Sequence, residues 1–481
     1  MKIFTKIALT LAVATTVATS AFAGGPMTNT NQSAHFLRSI ARGTSLSTDA
    51  VYTNPAGVVF MEDGFHLGLS NQMATQTRKT TSTFAAFAMG AQNGGQQTKD
   101  FEGAVTSLVI PSVHFAWKHN RLALMAGFGV NGGGGTIEYN DGLASFERQF
   151  SVLPMGVSQL GAAYGLTANQ YDMNMYLKGS SMTLAFNAGA AFRITDWLSV
   201  AAMVRYSTTS NGYEGYMKDI KINPTAAALG MNGAMISAPL FFQQVGAALG
   251  AANPAIGAAA AQYAALTSDH ILDVKQKGHS ISPVVALAFH KGAWDASVKY
   301  EFKMGTELEI ESAEVSAKDP VINGIFADGS KVKAETPALL SAAVSRQCGP
   351  VKITAEWHEY FDKNAKNSFS NVIEGNTMEF LLGAEYQITD KWLVSAGVQR
   401  TQLNMNENAY SDMNFSCPSW SVGFGAAYSI TEKISLNVGL MPTFYEDVTA
   451  KGVDSNGINF TDIYKRTSFA GGIGLDFKFG K

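Results

Sequence analysis

The chain has 481 residues, 47 of them glycine, with 11% aromatic and only 15% charged residues, two cysteines and a formal net charge of −3. This mildly acidic balance offers no basic surface for a nucleic acid. Length alone would allow two or three soluble domains, but the glycine- and aromatic-rich, charge-poor composition argues against that division.

The chain opens with Lys2 and Lys6, a short apolar run over 7–17, and Ala21-Phe22-Ala23. That is the pattern of a cleaved secretory signal peptide over residues 1–23. The apolar run is too short for a membrane anchor, and no cysteine follows the cut to carry a lipid. Residues 24–62 come next. They are polar and contain Asn54-Pro55-Ala56-Gly57. Pro55 has no N–H to give a β-ladder, so the segment reads as folded but not as a strand.

From Phe65 onward the pattern has period two. Met182, Leu184, Phe186, Ala188, Ala190, Phe192 and Ile194 share one face, with Thr183, Ala185, Asn187, Gly189 and Arg193 on the other. Trp420, Val422, Phe424, Ala426 and Tyr428 alternate in the same way with Ser421, Gly423, Gly425, Ala427 and Ser429. Successive side chains of a strand point to opposite faces, so one face is apolar and the other small or polar. Strands of ten residues or more, aromatics at strand ends (Trp117, Trp197, Trp392, Tyr386, Phe479), and connections that alternate between short and long point to a transmembrane barrel. After residue 23 no uninterrupted apolar run reaches about 18 residues, so helical spans are not expected. The fold class is all-β: an antiparallel barrel over 63–481, with residues 24–62 as a plug in its lumen. About 14 strands lie near 64–78, 99–117, 121–131, 181–194, 197–210, 275–290, 293–311, 331–347, 351–361, 378–388, 391–403, 418–430, 433–446 and 464–479.

Two connections are long, 131–178 and 211–274. The second holds Met235, Leu240, Phe241, Phe242 and Val245 in alanine-rich sequence that reads as helical pieces broken at Pro239 and Pro254. Such an apolar stretch is either a landing site for a greasy ligand or a pair of helices packed as a lid. Cys348 and Cys417 fall at opposite ends of the barrel and are expected to stay unpaired. There is no G-x-S-x-G elbow, P-loop or His/Cys cluster at metal spacing. No catalytic residue, metal or cofactor is expected, and the chain does not read as an enzyme. Gly127-Phe128-Gly129-Val130-Asn131-Gly132 matches G-x-G-x-x-G, but in a hairpin strand the glycines permit a kink or bulge instead.

Ala41-Arg42-Gly43, Asp49-Ala50 and Asn54-Pro55-Ala56-Gly57 together resemble the N-terminal hatch of the FadL family of outer-membrane transporters for long-chain fatty acids and other hydrophobic molecules. Ile110-Pro111-Ser112-Val113-His114-Phe115 resembles that family's second strand. The resemblance implies a hatch built on Arg42, Gly43, Asp49, Asn54, Pro55, Ala56 and Gly57. It also implies a third strand kinked inward at Gly127 and Gly129 to open the wall, and a hydrophobic capture groove on the outer loops at Met235, Leu240, Phe241, Phe242 and Val245. The implied function is passive uptake of fatty acids or aromatic hydrocarbons with lateral release into outer-membrane lipid, by a monomer in the bacterial outer membrane. A general diffusion porin and a structural or adhesive surface barrel are the competing readings.

Overall fold

A computed structural model describes residues 28–315, 327–367, 370–406, 409–413 and 415–480; the signal peptide expected over 1–23 lies outside them. Among the described residues, fourteen strands form the wall. They are β1 (Gly64–Phe84), β2 (Thr98–His119), β3 (Leu122–Tyr139), β4 (Tyr171–Arg193), β5 (Leu198–Ile222), β6 (His270–Lys291) and β7 (Trp294–Glu301, resuming at Glu307–Val315). They continue with β8 (Lys331–Lys333, resuming at Leu339–Cys348), β9 (Val351–Tyr360), β10 (Thr377–Gln387), β11 (Trp392–Gln402), β12 (Ser419–Thr431), β13 (Ile434–Tyr445, resuming at Val448–Val453) and β14 (Asn459–Phe479). Sequence neighbours pair antiparallel, and β14 pairs with β1 from Phe65↔Phe479 to Phe84↔Phe460, which closes the barrel. No described helix is long and apolar enough to cross a membrane.

The alternation resolves as the sequence implies. Met182, Phe186, Phe192, Trp420 and Phe424 stand exposed on the outer face, whereas Ser419, Ser421 and Asn187 are buried toward the lumen. Trp392 and Tyr428 pair across β11 and β12 with ring centroids 4.6 Å apart, at the end of the barrel that carries the short turns. Those turns are tight hairpins in which Asn120, Gly292 and Gly349 take positive φ, the conformation that two-residue β-turns require. Cys348 sits at one such turn, Cys417 among the long loops, and both are free.

Several strands run beyond the sequence reading. β3 continues to Tyr139, β4 starts at Tyr171, β5 reaches Ile222 and β6 starts at His270, so the two long connections shrink to 140–170 and 223–269. The ladders persist where the outer face is polar: Lys79 pairs with Asp100 at 2.7 Å, and Thr81 donates to the same carboxylate at 2.6 Å. There the outer face meets water, the apolar–polar contrast fades, and periodicity no longer marks the strand. Pro239 and Pro254 lie in the first turns of α5 (Ala238–Leu249) and α6 (Pro254–Leu266), and so open these helices where the sequence reading had them break. The first turn lacks intrahelical N–H partners anyway, so proline is tolerated there.

Candidate functional site

The segment 28–62 folds inside the barrel as α1 (Ala34–Ser39), α2 (Ala50–Thr53) and a 3₁₀ turn (Pro55–Phe60). The motif residues hold it together. Arg42 grips Asp49 with two parallel bonds, Nε to Oδ2 at 2.8 Å and Nη2 to Oδ1 at 3.1 Å, while Ser45 Oγ donates to Asp49 Oδ1 at 2.6 Å. Burial pushes the Asp49 carboxyl up, but the adjacent Arg42 guanidinium outweighs it and holds the acid well below the usual carboxylate range. Asn54 accepts from Gly57 N at 3.2 Å and donates to Ser45 O at 3.0 Å, which caps the turn that Pro55 begins. A Cβ on Gly57 would overlap the Asn54 side chain.

The same residues fix the hatch to the wall. Arg42 and Arg38 converge on Glu385 Oε1 at 2.9 and 2.5 Å. Gly43 N donates to Glu356 Oε2 at 2.7 Å, Ser297 Oγ to Gly43 O at 2.5 Å, and Ser199 Oγ to Ala56 O at 2.6 Å. His35 contacts Asp476 at 2.9 Å, and Thr48 bonds the same carboxylate. Below these bonds Val51, Val58, Val59 and Met61 pack on small wall residues such as Ala116, Ala191 and Ala286.

Beside the hatch the ladder between β2 and β3 is interrupted. β2 and β3 pair from His119↔Leu122 up to Val113↔Phe128, and again from Val105↔Ile137 to Gly103↔Tyr139, but not between. Over this interval β3 stays paired with β4 through two register shifts, at Val130/Gly132 and Gly133/Gly135. Such bulges bend a strand. Gly133 and Gly134 have φ of 65° and 111°, which only glycine adopts without strain. Val130 and Asn131 are buried, whereas Leu108 and Val109 on the β2 rim are 67% and 68% exposed. Gly127, one of the two glycines expected to kink β3, is paired on both sides, with His114 and Asn187. Gly129 lies just past the last lower β2 pair and faces the Gln32 side chain. The bend itself falls at residues 132–135. The sequence reading placed that four-glycine run in a loop.

The residues that meet this gap from inside were not legible in the sequence. Asn29 N donates to Asn131 O at 2.9 Å. Asn29 Nδ2 and Gln32 Nε2 donate to Val130 O at 3.1 and 2.8 Å, and Tyr52 OH to Asn131 Oδ1 at 2.9 Å. Buried backbone groups need partners, and the N-terminal segment supplies them where β2 does not. Next to this seal lies an apolar lumen cluster that includes Phe36, Leu37, Ala74, Ile110, Val130 and Met441.

No family model matches this sequence, and no curated protein matches it. Its solved structural neighbours include a FadL homologue from Pseudomonas aeruginosa, with a TM-score of 0.62 at 14% identity over 95% of this chain and 100% of that one. This chain has the FadL-type fold. The P. putida toluene transporter TodX aligns with a TM-score of 0.53 at 12% identity, covering 91% of this chain and 95% of that one. The CymD monoaromatic hydrocarbon channel aligns with 0.50 at 15%, covering 91% and 94%.

In this FadL-type barrel the outer end is capped by the long connections. α3 (Ala144–Ser151) descends into the mouth, where Arg148 Nη1 meets Asp462 Oδ1 at 2.8 Å and Ser82 Oγ at 2.9 Å, and Tyr171 OH donates to Glu147 Oε1 at 2.8 Å. Of the expected capture residues, Phe241, Phe242 and Val245 are buried in an apolar core that α5 and α6 share with the wall strands, Met235 is half-buried, and Leu240 is exposed. Phe242 stacks on Tyr263 of α6 with centroids 5.0 Å apart. A cavity of about 310 Å³ instead lies between α4 (Leu153–Gly161), α6 and the 454–458 hairpin, lined by Val152, Leu153, Met155, Tyr263, Leu266 and Ile458 among others. A larger hollow of about 800 Å³ involves lipid-face residues including Leu287, Val298, Val344, Leu382 and Trp420, and reaches the wall residues Ser297 and Glu356 that bond Gly43.

Proposed function

We propose that this protein is a channel of the bacterial outer membrane, not an enzyme, that takes up hydrophobic molecules passively, long-chain fatty acids foremost. A molecule is captured in the cavity between α4 and α6 and passes below α3 to the apolar lumen cluster. It leaves sideways through the β2–β3 gap once residues 28–32 withdraw. The observation that carries this reading is the unpaired stretch of wall whose free carbonyls are met from inside by Asn29 and Gln32. An exit into lipid suits a greasy solute, because it avoids a water-filled path. The neighbours with this fold, a toluene transporter and a monoaromatic hydrocarbon channel among them, support a hydrophobic cargo. The barrel closes on itself, so a monomer suffices.

The test is uptake of labelled oleate and labelled toluene by cells expressing the protein, beside Gly129→Val, which presses a side chain against Gln32. Uptake of either compound that changes in an inserted variant supports lateral transport, and the compound taken up names the cargo class. No uptake of either, with ion conductance in planar bilayers, leaves a porin.

A further inference from the structure

Arg400 of β11 stands on the lipid face of the wall. Its register partners on β10 and β12 are Phe380 and Trp420, both exposed on the outer face. The Trp420 ring lies 5.3 Å from the guanidinium Cζ, a cation–π distance. Arg400 Nη2 pairs with Glu446 at 2.6 Å, whereas Nη1 is buried and has no hydrogen-bond partner. β11 starts with Trp392 at the short-turn end, and Arg400 is its ninth residue. A tilted strand crosses the apolar layer in about 9–11 residues, so Arg400 marks the outer boundary of that layer. A guanidinium on the lipid face is tolerated there far better than at the midplane. Below it the wall is hollow. The hollow of about 800 Å³ that Arg400 and Trp420 border continues past Val398, Leu382, Val344 and Val298 to Phe289 and Leu198, close to the short turns. It therefore crosses the apolar layer obliquely, from a free guanidinium donor at the top to aliphatic and aromatic side chains all the way down.

From this arrangement we infer that the hollow seats one lipid of the surrounding membrane, the phosphorylated glycolipid of the outer leaflet, an inference that rests on the outer-membrane placement above and on no particular cargo. An acyl chain fills the hollow, and a phosphate oxygen accepts from Arg400 Nη1. Planar guanidinium donors match phosphate geometry, and the Trp420 ring over the face of Arg400 leaves the N–H groups in its plane free for it. The height of Arg400 selects the leaflet. A phospholipid of the inner leaflet carries its phosphate at the short-turn end, on the far side of the apolar layer from Arg400. Glu446 holds the guanidinium in place and offsets part of its charge, so the seat is tuned by that carboxylate.

The experiment is equilibrium binding of labelled lipid A, with and without its phosphates, to the full-length protein in a non-ionic detergent. The expected result is at least about a tenfold preference of wild type for the phosphorylated form, removed in Arg400→Gln with binding of the phosphate-free form unchanged. Equal binding of the two forms by wild type, binding of neither, or an unchanged preference in Arg400→Gln overturns the seat. Phosphatidylglycerol bound as tightly as phosphorylated lipid A overturns the assignment to the outer leaflet. If Arg400→Gln fails to fold, Glu446→Gln decides, because it keeps Arg400 and removes the negative charge beside the phosphate. Tighter binding of the phosphorylated form then supports the seat, and unchanged or weaker binding overturns it. Every overturning result leaves the transport reading standing, since neither probe is a cargo.

Discussion

Gln32 donates its side-chain amide to the Val130 carbonyl at 2.8 Å, at a point where β3 has no partner on its β2 side. A side chain of the hatch thus takes the place of a missing strand neighbour. The bond is also local: Gln32 Nε2 reaches Asn29 O at 2.9 Å, so the two donors to the gap brace each other.

Removing those donors should loosen the seal without disturbing the barrel. In Asn29→Ala/Gln32→Ala the Val130 carbonyl loses its side-chain donors, at a cost of about 1–3 kcal/mol for a buried unsatisfied group. Faster hydrogen exchange over 28–32 and a higher ion leak in planar bilayers are expected, with exchange over 34–60 unchanged. Unchanged exchange over 28–32 would show that the seal is held elsewhere.

The position of the bend can be tested with two alanines. Gly133→Ala places a Cβ at positive φ and against the Ser181 carbonyl. The left-handed conformation alone costs roughly 1–2 kcal/mol. Gly127→Ala meets nothing closer than Val51 Cγ1 at 3.4 Å. Gly133→Ala should lower oleate uptake in cells with a normal amount of inserted barrel, and Gly127→Ala should leave it near wild type. The reverse order would return the bend to Gly127.

Arg42 neutralises both Asp49 and Glu385 inside the lumen. Arg42→Ala strips Asp49 of its guanidinium and leaves Glu385 to Arg38 alone, and breaking a buried pair in this way costs about 3–5 kcal/mol. Protease sensitivity of the hatch and a raised conductance are expected while the wall stays intact. Because the Asp49 carboxyl is held below its ordinary range, its contribution is present above the unfolded value near 4 and fades only in stronger acid. Wild-type conductance should therefore be the same at pH 5 and pH 7.

Asp362 in the loop after β9 behaves in the opposite sense. Burial pushes its carboxyl up to about 6, although Thr377 N donates to it at 2.8 Å. A raised acid favours the folded loop at low pH, below the unfolded value, and that contribution is lost as pH rises through about 6. Hydrogen exchange over 361–376 should quicken from pH 4 to pH 7 beyond the intrinsic chemical rate. Asp362→Asn should flatten that excess, and a variant that keeps the full excess would assign it to another group.

The barrel was legible because lipid and lumen impose opposite demands on alternate residues, so Met182, Phe186 and Phe192 announce their face. Around Lys79 both faces of the ladder are polar, and the strand ends could not be read. Arg42, Asp49 and Asn54 stood out in the sequence through a resemblance, and much of their bonding is local. The seal was not, because Asn29 and Gln32 act on backbone carbonyls about a hundred residues away, and a main-chain acceptor leaves no mark in sequence. The four-glycine run resembled a loop for the same reason that it bends a strand: both need backbone freedom. Phe241 and Phe242 advertised an apolar surface that is buried in the core shared by the helices and the wall strands.

The seam between β1 and β14 also dictates an order of assembly. The hatch is made first, yet two of its residues, His35 and Thr48, hold Asp476 on the last strand, 441 and 428 positions away. Contacts so distant in sequence form late. Until β14 arrives, the hatch sits in an open trough of strands, and the final strand both closes the cylinder and traps it. An insertion apparatus that docks this last strand would thus release a barrel that is already stoppered, and the membrane would never face an open pore.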